Sequence, residues 1–219
     1  PHTYMVIIGA GWAWARLGSP IHTLAAKLDP LLGWLAFDGY GFHEGYFHPQ
    51  RSVEQQIRPK SMSGYAGRVF DAGLGRSLWF VCGAQPNALA KTIGAFSKDR
   101  QADLWAGSGL ACAYAGGVEI SCYDEMRRLA GDHYGFLAQG VAFAAKARQR
   151  AGIPTGPTEA AVESLTHISF AQAVRICDEA EPKEMNLGNE LAQKPAFEVW
   201  RCRIREKFEL EPTLVESAL

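Results

Sequence analysis

β-Branched residues are scarce in this chain. Beyond Val6-Ile7-Ile8 no comparable run of Val, Ile and Thr occurs, which argues against a sheet-based fold. No apolar stretch reaches the ~20 residues needed to cross a bilayer, since the longest, Tyr4–Ala15, is about twelve. A basic excess is also missing. The 22 Lys and Arg residues face 23 Asp and Glu, for a net charge of −1, so neither nucleic acid nor an anionic membrane surface is an expected partner. The five cysteines, Cys82, Cys112, Cys122, Cys177 and Cys202, form no Cys-x-x-Cys pair and match no zinc module. Unpaired thiols of this kind point to a reducing, cytoplasmic compartment and to small core residues. No Ser-His-Asp motif, phosphate loop or metalloprotease helix is present, and no cofactor or metal is expected.

What is present suits a packed globular protein. Hydrophobic residues make up 47% and charged residues 21%, enough apolar surface for a substantial core. Ala, Leu, Arg, Glu and Gln dominate after residue 65, so the chain reads as mainly α. Pro86 and Pro157 sit where a first helical turn accepts proline, and Ser169 to Gln172 has the capping-box pattern. Gly83, Gly116-Gly117, Gly131 and Gly152 mark stops. Pro49 to Ser63 and Glu181 to Asn189 read as loops, the second leading into a helix of about 192–210.

An internal repeat occupies the middle. Gly73-Leu-Gly-Arg-Ser-Leu-Trp-Phe-Val-Cys-Gly83 and Gly107-Ser-Gly-Leu-Ala-Cys-Ala-Tyr-Ala-Gly-Gly117 carry glycine at the same three places. A third unit starts at Gly140, with Ala142 in place of its second glycine, and a fainter copy starts at Gly9. Each central unit precedes a second helix, at Pro86–Phe96, Ser121–Ala130 and Pro157–Leu165. A period near 34 with two helices per unit predicts a helical-hairpin, tetratricopeptide-like array. Small residues would let neighbouring helices approach closely, and Trp79, Trp105, Tyr114 and Phe143 would fill the gaps. Three regions follow: 1–63, an apolar helix and an irregular aromatic and Gly-rich segment; 64–182, the repeats; and 183–219, a loop and final helix. Arg201, Arg203, Arg205 and Lys207 read as the wet face of that helix, and Asp99, Arg100 and Asp103 as another helix start and its wet face.

The segment Asp38-Gly-Tyr-Gly-Phe-His-Glu-Gly-Tyr-Phe-His48 is the richest in chemistry. Its glycines disfavour a helix or a plain strand, so a turn is expected. Asp38, Tyr40 and His43 could form an acid/base group, a carboxylate orienting an imidazole beside a phenol. Trp34, Phe42, Glu44, Tyr46 and His48 could line a ligand site. The competing reading is a structural turn in which Asp38 caps backbone N–H groups. His43, Glu44 and His48 are metal-ligand types, but His43 and His48 are five apart, which suits neither one helix face nor one strand face. Met5-Val-Ile-Ile-Gly9-Ala-Gly11, with Asp29 downstream, has the outline of a dinucleotide fingerprint. Trp14 occupies the place that needs a small residue, so a helix packed through Gly9, Gly11, Ala13 and Ala15 is the simpler reading.

Several of these segments together resemble the bacterial family DUF1702, which includes UnbL-type proteins found beside enediyne polyketide genes. The resemblance rests on Gly9–Leu17, Trp34–His43, Gly73–Trp79, Ala102–Leu110 and Leu137–Arg148. It implies an accessory role in bacterial secondary metabolism, often near a membrane protein, and it supplies no catalytic residue. Such proteins usually carry a further N-terminal region. The chain opens at Pro1 and enters an apolar segment at once, so residues 4–17 are expected to meet something outside this sequence. Two functions stay open: a scaffold that binds a partner protein, and an enzyme or carrier for a hydrophobic, polyene-like small molecule.

Overall fold

The computed structural model describes residues 2–182 and 194–209. Eleven α-helices and no strand occur among the described residues. They are α1 (Thr3–Leu17), α2 (Ile21–Ala25), α3 (Leu35–Phe47), α4 (Gly64–Val81), α5 (Pro86–Gly94) and α6 (Lys98–Ala115), then α7 (Ile120–Ala130), α8 (Tyr134–Ala151), α9 (Gly156–Thr166), α10 (Phe170–Ala180) and α11 (Ala196–Glu209). The local signals act where the sequence places them. Pro86 opens α5, Thr155 caps α9 just before Pro157, and Ser169 with Gln172 forms the reciprocal capping box of α10. Gly83, Gly116, Gly117, Gly131 and Gly152 adopt positive φ at or just beyond helix ends. The final helix begins at Ala196 rather than near residue 192, and most of the loop expected at 181–189 lies outside the described residues.

The long helices form one continuous layer, in the order α1, α3, α4, α6, α8, with α10 and α11 against α8. Four successive crossings obey one rule. A glycine from each helix rests on the carbonyl oxygen three residues before the glycine of the other. Gly11 meets Ala36 O and Gly39 meets Ile8 O; Gly41 meets Phe70 O and Gly73 meets Asp38 O; Gly75 meets Leu104 O and Gly107 meets Ala72 O; Gly109 meets Leu137 O and Gly140 meets Ala106 O. A Cβ at any of these positions would overlap backbone. Residues two apart on a helix point about 200° apart, so each Gly-x-Gly pair serves one neighbour on each side. Such contact allows Cα–H to approach carbonyl oxygen and brings backbones as close as helices pack.

This rule corrects the reading of residues 38–48. Residues 38–47 are not an irregular turn but the body of α3, with Asp38, Gly39, Gly41, His43, Glu44 and Gly45 buried and His48 at the C-cap. Gly39, Gly41 and Gly45 do cost helix propensity, about 1 kcal/mol each, yet they give α3 its seats against α1 and α4. The polar loop after it contains a π-helical turn at Gln50–Glu54. The expected division at residue 63 falls between α3 and α4, two of the most closely packed helices in the layer. α5, α7 and α9 pack on one another along the layer, and α6 touches α7 little.

The charged residues assigned to wet faces are also corrected. Arg100, Asp103, Arg201 and Arg205 are buried. Asp71 accepts from Arg100 Nη2 at 2.6 Å and also pairs with Arg58. Asp103 accepts from Arg201 at 2.5 Å and from Arg68 at 2.9 Å. Glu198 pairs with Arg68, Arg201 and Arg205, and Gln139 accepts from both α11 arginines. Carboxylates and guanidiniums from α4, α6 and α11, with the Gln139 amide of α8, thus satisfy each other, which is how buried charge is tolerated. The network fixes α11 across the layer.

Candidate functional site

With α11 held in place, its Phe197 and Trp200 close over one side of the layer. Trp200 donates its indole N–H to Cys177 O at 2.8 Å and packs edge-on against Phe143, with centroids 4.8 Å apart. Beneath them is a cavity of about 90 Å³ walled by α1, α3, α4, α6, α8 and α11. Tyr4, Ile8, Arg76, Tyr114, Phe143 and Trp200 are among its lining residues. Met5 and Phe80, 40% and 47% exposed, line it where it meets the surface.

The walls are almost wholly apolar, and the exceptions are informative. Arg76 is 9% exposed and Tyr4 is 8% exposed. Nε of Arg76 is buried without a hydrogen-bond partner, while its Nη2 is held by Asp38 and the Tyr4 hydroxyl is buried beside Arg150. Buried polar atoms left this way are rare in native proteins and call for an explanation. Arg76 Nη2 lies 2.6 Å from Asp38 Oδ1, so the guanidinium is charge-compensated across α3 and α4, and it stacks over Phe42 at 4.9 Å. Burial pushes the Asp38 carboxyl above its ordinary range and outweighs the lowering by Arg76. Burial likewise pushes the Tyr4 phenol up to about 12, against the lowering effect of Arg150, which lies over its ring.

The residues singled out in the sequence are distributed rather than assembled. Asp38 faces Arg76, Tyr40 packs toward Phe70, and His43 bonds Glu44. The structure therefore does not bring Asp38, Tyr40 and His43 together as one acid/base group. Trp34 packs on Phe37 and Tyr65, and Phe42 stacks with Tyr46. Glu44 Oε1 lies 3.1 Å from His43 Nδ1 and 3.3 Å from His48 Nδ1. The donor atoms of these three residues all lie within 4.8 Å of one another, the set best placed to hold a metal ion among the described residues. His43 also walls a second, shallower groove of about 490 Å³ with Trp12, Ala13, Arg16, Leu17 and Phe47.

Sequence reasoning missed Arg76, Tyr4 and Trp200 as site residues. One signal was available: Arg76 is the lone charge in the apolar run from Ala72 to Val81. The family described as "Protein of unknown function (DUF1702)" matches residues 1–208. The chain belongs to the DUF1702 family. The DUF1702 match includes every residue that lines the cavity. No curated protein and no solved structure matches the chain. No described helix is long and apolar enough to cross a membrane.

Proposed function

We propose that this chain binds an uncharged, largely apolar small molecule carrying a carbonyl or hydroxyl oxygen, in the cavity beneath Trp200. The observation that carries this is an apolar cavity lined by two buried polar side chains, Arg76 with an unpartnered Nε and Tyr4. Ligand sites combine apolar walls with a few placed polar groups, and an acceptor oxygen here would satisfy the Arg76 N–H that the protein leaves open. Asp38 already neutralises Arg76, so a second carboxylate would meet the repulsion and desolvation cost of buried like charges. The ligand is therefore neutral. At about 90 Å³ the cavity is smaller than the ~150 Å³ that accepts benzene. It takes the end of a longer molecule, whose remainder leaves past Met5 and Phe80. A carbonyl-bearing, polyene-like ligand fits, and so does the secondary-metabolism setting that the family resemblance implies.

Calorimetric titration with a medium-chain methyl ketone and with the fatty acid of equal length tests this. The ketone binds tighter by about tenfold or more, or ~1.4 kcal/mol. Binding of neither compound, or tighter binding of the acid, overturns the proposal.

A second reading, a scaffold for a partner protein, is favoured by the outer edge of the layer. Gly9 is the first glycine of a Gly-x-Gly pair, yet nothing lies within 4 Å of a Cβ placed there. Met5, Val6, Trp12 and Leu17 are exposed on the same helix, Leu17 at 75%. The side-by-side order of α4, α6 and α8 with α5, α7 and α9 supports a tetratricopeptide-like array open to a further helix at this edge. Gly9→Leu would then abolish retention of that partner while leaving ketone binding intact. Retention by both forms would rule this edge out.

A further inference from the structure

We propose that His43, Glu44 and His48 form a binding site for a divalent transition-metal ion of the Zn²⁺ class, separate from the cavity. Glu44 and His48 are one helical turn apart at the C-terminal end of α3, and His43 is adjacent to Glu44. The spacing of five between the histidines, unpromising in a regular helix, becomes workable because His48 leaves helical geometry at the C-cap, with φ −128° and ψ 48°. Its imidazole then turns back toward the carboxylate. The resulting N···O separations of 3.1 and 3.3 Å are close to the ~3.4 Å edge of a tetrahedron with metal bonds of 2.0–2.1 Å. Both imidazoles are thus nearly at ligand-to-ligand spacing from the carboxylate, with all three donors within 4.8 Å of one another.

The surroundings hold that arrangement. His43 is 2% exposed and its ring packs against Trp12 at 5.9 Å and Phe47 at 5.1 Å. Ser52 donates to both Glu44 O and His48 O, each at 2.9 Å, tying the turn that links two of the ligands. Supports of this kind orient metal ligands. Glu44 is 7% exposed, and among the described residues its ion-pair partners are His43 and His48, with no Arg or Lys. A buried carboxylate with only two imidazoles for company gains most from a cation held between them. Three protein ligands leave a further position for water or an exogenous ligand, as in open zinc sites, and one of the three, His43, lines an open groove.

His48 is the suitable ligand to change, because its side chain is 46% exposed and it lies at the C-cap, outside the body of α3. Chelator-stripped protein is dialysed against Zn²⁺ up to about 100 µM, and Co²⁺ is followed by its visible absorption. One ion binds per chain, and His48→Ala weakens binding by at least about tenfold while the metal-free variant still unfolds cooperatively with the helical circular dichroism of the wild type. His48→Cys restores binding and adds a thiolate-to-cobalt charge-transfer band. No ion bound at the highest concentration overturns the proposal, as does uptake that is the same in wild type and His48→Ala.

Discussion

Gly107→Ala and Gly9→Ala are the same chemical change on two helices of one layer, and the structure gives them opposite effects. At Gly107 the added Cβ would lie 2.7 Å from Arg76 N and 2.8 Å from Ala72 C, and nearer still to Ala72 O. These are backbone atoms of α4 and cannot rotate aside. The crossing must open by about 1–2 Å, and a gap of even 0.5–1 Å forfeits a quarter to a half of each dispersion contact. The Ser108 hydroxyl also donates across this crossing to Gly75 O at 3.0 Å. Overpacking costs about 1–3 kcal/mol, with a rigid backbone contact at or above the upper end, and better helix propensity returns ~1 kcal/mol. The net loss is about 2 kcal/mol or more. At Gly9 nothing lies within 4 Å, so alanine stabilises by about 0.5–1 kcal/mol. Urea unfolding followed by far-UV circular dichroism gives both values. Shifts of the same sign, or a change at Gly107 below ~0.5 kcal/mol, would refute the crossing rule.

Acid stability should depend on Glu198. Burial pushes its carboxyl up, but Arg201, Arg205 and Arg68 outweigh that and hold it at about 2, below an ordinary value of 4.5. The folded value lies below the unfolded one, so this stabilisation is complete above pH 4.5 and is lost as pH falls through about 2, some 3 kcal/mol in order of magnitude. In Glu198→Gln, the unfolding free energy becomes flatter with pH across that window, and an unchanged slope would contradict the assignment. Thiol labelling of the native protein at neutral pH leaves Cys112 and Cys177 unmodified, since both are buried and burial raises both thiols. Rapid native labelling of either one would contradict the packing. Removing the Ser169 cap with Ser169→Ala costs about 1 kcal/mol in the same urea assay, and no change would show that α10 does not depend on its capping box.

Much of this architecture was legible because its signals are local. Proline at helix starts, the Ser169 capping box and glycine at helix ends each act through their own backbone, so short-range reading suffices. The 34-residue recurrence of Gly-x-Gly located the central crossings for a similar reason: one geometric demand is met repeatedly. The failures share a cause as well. In α3 the glycines were weighed only by propensity, whereas Gly39 and Gly41 are selected by neighbours 30 or so residues away, at Ile8 and Phe70. Arg201 and Asp103 looked like solvated charges because their pairing joins positions 98 residues apart. The cavity was invisible for the same reason, being assembled from six helices with one side chain or a few from each.

The most direct test of the central claim is native mass spectrometry of the protein purified from its own cells, beside an Ala147→Phe variant. Ala147 is a half-buried residue of the cavity wall, and a phenyl ring there fills the space while Arg76 and Asp38 keep their identities. A neutral small-molecule adduct on the wild type, absent from the folded variant, is the predicted result. An adduct retained equally by both proteins, or its absence from the wild type together with no binding of the methyl ketone, would contradict it.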